Sequence, residues 1–115
     1  MAIKLNKPAV ELARKLVREG KVVKDERDAW SEHAPSSDQE NTFVEKNGWT
    51  DYSHWHLGID DEESADTKGK YSFPFGDFTK VHRCGVISLE SRAAQFDHDE
   101  IAKAAKSLLE LIDKD

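Results

Sequence analysis

Two pairs of side chains with ligand chemistry stand at the same spacing in this chain: His54 and His56 around Trp55, and His82 and Cys84 around Arg83. Nitrogen and sulfur donors in a set of four suit zinc, so His54, His56, His82 and Cys84 form a candidate metal centre with zinc as the implied cofactor. The spacing itself argues against it. Residues two apart on a helix point about 200° apart, and neither pair has the separation of a zinc finger or a helical metalloenzyme motif. The competing expectation is that His56 and His82 are packed or hydrogen-bonded inside the fold, with His54 in solvent.

Cys84 with a nearby histidine offers a thiolate–imidazolium pair, which Asp77 or Glu90 would orient. No strained nucleophile turn or glycine-rich oxyanion motif accompanies it, and a lone cysteine beside Gly85 and Val86 reads more readily as a small buried side chain. No catalytic residue is therefore assigned, and the chain is read as a non-enzyme. The binding chemistry is concentrated in 67–83, where Lys70, Tyr71, Phe73, Phe75, Phe78, Lys80 and Arg83 mix cations with rings. With Lys68 and Arg92 nearby, that mixture suits a nucleic acid or another phosphate-bearing ligand, and the segment is also the expected contact surface for a protein partner or self-association. Leaving such rings in water forfeits roughly 1.5–3 kcal/mol for each large side chain, so the segment is either the keystone of the core or the working surface.

The elements that must position these groups read as helices. Pro8 sits in a first turn capped by Asn6 or Lys7, Ala9, Ala13, Leu16 and Val17 recur at helical spacing, and Gly20 supplies the stop. A short helical turn over 25–33 is ended by Pro35. Ser36 with Gln39 and Ser37 with Glu40 form overlapping capping boxes ahead of Phe43 and Val44, with Gly48 as the stop. The spacing of Trp49, Tyr52, Trp55 and His56 predicts an aromatic helix over 49–57 closed by Gly58. Asp77 or Thr79 would start a helix through Val81 that bends at Gly85. Asp97 with Glu100 would cap the last helix, whose stripe is Ile101, Ala104, Ala105, Leu108 and Ile112. Only 85–88 has notable β-propensity, and it is too short for a sheet. The expectation is one all-α domain of about five helices over 1–115: an N-terminal helix and connection in 1–24, an acidic flexible loop in 59–69 and a helical module in 70–115. Trp30, Phe43, Trp49, Trp55, Phe73, Phe75, Phe78, Leu89, Ile101, Leu108 and Ile112 would supply its core.

Composition sets the limits. A chain of 115 residues with 37% apolar and 35% charged residues is one domain that buries a core without disulfides. Its net charge of −6 is concentrated in an acidic 25–66 block, which argues against nucleic acid as a partner of the whole surface. No apolar run approaches membrane-spanning length. A single cysteine and no signal-like leader lead to an expectation of a cytoplasmic protein.

Lys70-Tyr71-Ser72-Phe73-Pro74-Phe75-Gly76-Asp77, followed by Gly85-Val86, Ala93-Ala94 and Ile101 with Ala104, Ala105 and Leu108, resembles a small helical module at the end of some phage prohead proteases. Trp30-Ser31-Glu32-His33, Trp55-His56-Leu57-Gly58 and Val81-His82-Arg83-Cys84-Gly85 are similar to signatures of a family of short bacterial proteins with no assigned activity. Neither resemblance brings catalytic residues. Together they imply a helical packing unit that assembles with, or binds, something larger.

Overall fold

The structure, a computed structural model, describes residues 3–25, 30–62 and 67–114. Within them the all-α expectation is overturned: helices pack with two small sheets in a mixed α/β domain. In chain order the elements are β1 (Ile3–Leu5), α1 (Lys7–Arg18), β2 (Val22–Val23), α2 (Trp30–His33), α3 (Ser37–Ser53), β3 (His56–Asp60), a 3-10 turn (Lys68–Lys70), β4 (Tyr71–Pro74), β5 (Val81–His82), α4 (Arg83–Gln95) and α5 (Asp99–Asp113). The strands escape sequence reading because each has only two to five residues, too few to display a period of two.

Helix α1 forms as its sequence dictates. Ala9, Val10, Ala13, Leu16 and Val17 are buried along one face. Gly20 takes a positive φ of 78°, and the Gly20 and Lys21 amides donate to the Val17 and Leu16 carbonyls, closing the helix in a Schellman motif. Asn6 is its N-cap without a capping hydrogen bond. Its buried amide donates instead to the Ser53 and His56 carbonyls at 2.8 and 3.1 Å, tying α1 to the end of α3. Ser36 and Gln39 form the expected capping box of α3, and Gly48 breaks that helix with a φ of 86°.

Beyond Gly48 the aromatic helix lasts only to Ser53. Trp55 precedes a strand, and Gly58, read as a helix stop, lies in the middle of β3. Strand β3 is central in an antiparallel sheet of order β1-β3-β4, with Leu5 opposite Gly58 and Gly58 opposite Ser72. Gly58 is required there. A Cβ would stand 2.6 Å from Ser72 Oγ and 2.7 Å from the Phe73 ring. Ser72 and Phe73 are consecutive yet both close over Gly58, because Phe73 adopts a left-handed φ of 61° that breaks the strand's alternation.

The second sheet joins β2 and β5 in parallel, pairing Val22 with Val81 and Val23 with His82. A helix starting at Asp77 or Thr79 is therefore replaced by a turn and a strand. Asp77 Oδ1 accepts the Thr79 and Lys80 amides at 3.0 and 2.8 Å, and α4 begins at Arg83. Asp97 does not cap α5 but ends α4. It holds a φ of 61°, with its amide on Ala94 and that of His98 on Ala93. The N-cap of α5 is His98, and its buried face is Ile101, Ala102, Ala105, Leu108 and Ile112. The 85–88 stretch is helical. In the acidic 59–69 segment, Ile59 and Asp60 belong to β3, while 63–66 lie outside the described residues, as do 26–29 of the expected turn over 25–33.

Candidate functional site

His82 ends β5 at the point where α4 starts, so its ring is fixed by a strand on one side and a helix on the other. Its Nδ1 lies 2.7 Å from Asp25 Oδ2 and its Nε2 lies 2.8 Å from Asp77 Oδ2. Carboxylates only accept, so both ring nitrogens donate and the ring is an imidazolium. Burial works against that charge, but hydrogen bonds and charge from Asp77 and Asp25 outweigh it and hold the His82 pKa above its ordinary value. Burial likewise opposes ionisation of both carboxylates. Asp25 is nevertheless held low by the Cys84 amide and His82, and Asp77 by His82 and the Lys80 and Thr79 amides. Asp25 Oδ1 accepts the Cys84 amide at 2.8 Å, placing a carboxylate on the N-terminal turn of α4, where the helix dipole favours it.

Cys84 completes this cluster, its sulfur, the His82 ring and an Asp25 oxygen lying within 4.8 Å of one another. The thiol is 1% exposed. Burial, followed by its hydrogen bond to Asp25, pushes its pKa up to about 12, the reverse of what a nucleophile requires. The structure thus brings His82 and Cys84 together as proposed, but with Asp25 rather than with the other histidine pair. Among the described residues, His54 and His56 belong to no grouping able to hold a metal. His54 caps the C-terminus of α3. His56 is buried with Nδ1 2.9 Å from the Tyr52 carbonyl, and burial lowers its pKa to about 4.

The seven residues read as a contact surface are dispersed. Phe75 is fully buried, stacked on Trp55 at 5.5 Å, and Phe78 stacks on Phe43 at 4.3 Å. Tyr71 packs against both Trp49 and Tyr52. Arg83 makes a bidentate pair with Asp113 at 2.8 and 3.1 Å, and Lys70 Nζ donates to the Asp60 carbonyl at 3.4 Å. Lys80 is exposed. Only Phe73 faces an open site.

That site is a groove of about 580 Å³ between the sheet and α4. Ile3, Ser72, Phe73 and Pro74 form one wall, Ser88, Leu89, Arg92 and Phe96 the other, and Trp30 and His98 complete it. Phe96 is 59% exposed, the one large hydrophobic so exposed among the described residues. The His98 ring meets Phe73 edge to face at 5.6 Å. Ser72 Oγ is the single buried side-chain polar atom without a hydrogen-bond partner among those described. Trp30 joins groove and cluster, its ring 5.9 Å from His82 and 3.0 Å from where a Cβ on Gly85 would stand.

Sequence reasoning missed the groove because its walls belong to elements far apart in the chain, one of them a strand not foreseen. The available signal was Phe96, an apolar residue beyond the buried stripe of α4. No family model, curated protein or solved structure matches the chain significantly.

Proposed function

We propose that the protein is a non-enzymatic binding protein whose site is the groove between β4 and α4. The observation that carries this reading is a concave, largely apolar space of about 580 Å³, within the ~300–1,000 Å³ usual for sites that enclose a small ligand. Phe73 adds support. A left-handed backbone at a bulky residue is strained, and such strain gathers at ligand sites. A concave space of this volume favours a compact ligand over a flat protein partner, so the accessory role is that of a ligand carrier or sensor. The test is an amide chemical-shift titration with a neutral apolar probe such as decanol. Saturable shifts confined to β4 and α4, abolished in Ser88→Trp, are expected, and shifts elsewhere or none would overturn the reading.

One observation favours metal binding as a second reading. Asp25, His82 and Cys84 offer one donor each within 4.8 Å, and Asp77 on His82 Nε2 is placed as the outer carboxylate that orients a ligating histidine. Against it, the 2.7 Å contact between His82 and Asp25 is a hydrogen bond that an ion would have to replace. Native mass spectrometry before and after chelation decides it, since a bound ion lost together with helicity would favour the metal.

A further inference from the structure

Resting on that reading of the groove, we propose that its ligand is a small apolar acid carrying one negative charge, held by Arg92. The charge pattern leads there. The chain has 23 Asp and Glu among 115 residues, yet among the described residues no carboxylate lines the groove. Arg92, its one permanently charged residue, makes no ion pair or hydrogen bond with any described side chain, unlike Arg83 with its Asp113.

Ser88 and Arg92 of α4 and its C-cap Phe96 follow one another at four-residue intervals, so they share one side of the helix with Arg92 as the middle residue. Its planar fork matches a carboxylate with two parallel hydrogen bonds. A phosphate monoester carries about 1.5–2 charges, for which the described residues lining the groove offer no second fixed cation, whereas a carboxylate carries one. The orphaned Ser72 hydroxyl stands on the opposite wall.

The neighbouring depression shares Ile3 and His98 with the groove but is lined by Asp97, Asp99 and Glu100, which disfavour an anion there and leave Arg92 as the place for the acid group.

The test uses the full chain, isotope-labelled, titrated with decanoate against decanol and with 1-naphthoate against 1-naphthol, following the amides of α4. At least one acid should bind about tenfold tighter than its alcohol, as a bidentate charged contact predicts. Arg92→Gln should erase that difference between acid and alcohol. Equal affinities for acid and alcohol in the wild type would overturn the acid while leaving the groove in place as a binding site. Saturation by neither pair would overturn both. A preference for the acid that survives Arg92→Gln would also overturn the proposal, because the charge would then be read elsewhere.

Discussion

The His82 cluster and the groove share Trp30 as a neighbour, and they differ in how completely their groups are answered. Around His82, both ring nitrogens, both carboxylates and the Cys84 amide have partners at 2.7–2.8 Å. The groove holds an arginine without an ion pair among the described residues, a buried hydroxyl without a partner, and an exposed phenylalanine. A satisfied polar network in low dielectric specifies a structure. Groups left without partners beside a cavity are what a ligand can answer. The residues with the most conspicuous chemistry in the chain thus answer one another, and plainer ones line the groove.

Removing the imidazolium is the largest perturbation of that contrast. His82→Ala deprives Asp25 and Asp77 of their shared partner, and breaking a buried pair in this way costs about 3–5 kcal/mol. Asp77 is one-third exposed, so the lower end is expected, read as a fall in the urea midpoint. If stability hardly changes, the cluster is not the anchor described here.

Acidity separates the two buried histidines. His82 has a raised pKa when folded, so its contribution is complete below the unfolded value of 6.5 and is lost as pH rises through the folded value. His56 has a pKa lowered to about 4. The unfolded chain therefore takes up a proton between pH 6.5 and 4 that the folded chain refuses, and stability falls on acidification by up to about 3 kcal/mol. The carboxylates Asp25 and Asp77, both held low, add a further loss as pH falls through their folded values. Chemical denaturation from pH 4 to 9 should show a maximum between two limbs, with the alkaline limb absent in His82→Ala and the slope between pH 6.5 and 4 reduced in His56→Gln.

Gly58→Ala sharpens the comparison from the groove side. Its methyl would have to push Ser72 and Phe73 aside, an overpacking cost of about 1–3 kcal/mol, and both residues belong to the groove wall. Ligand affinity should fall with stability, whereas His82 substitutions should affect stability first. The smallest effect on the fold is expected for Phe96→Ser. The side chain is largely exposed, so stability should stay within about 0.5 kcal/mol, while binding of decanol weakens. Unchanged binding would show that the rim takes no part.

What was legible in the chain was what local chemistry decides. The stripes of α1 and α5, the Ser36–Gln39 cap and the backbone reversals at Gly20 and Gly48 all follow from contacts within a few residues. Where two local signals competed, tertiary contacts chose. Helical spacing over Trp49–Leu57 gave way after Ser53 because the following residues gain a sheet partner on either side. Asp97 looked like a cap for the helix after it and serves the helix before it.

The candidate sites divide in the same way. Sequence alone marked His82 and Cys84 as chemically notable and placed the rings of 71–78 in either core or surface. Only the folded chain could supply Asp25, 57 residues from His82, and send most of those rings inward. The groove draws its walls from β1, Trp30, β4, α4 and His98, which only the folded chain brings together. A helix is a local bargain between neighbouring residues, whereas a cavity is the space left where distant elements fail to meet, and no short stretch of sequence encodes that.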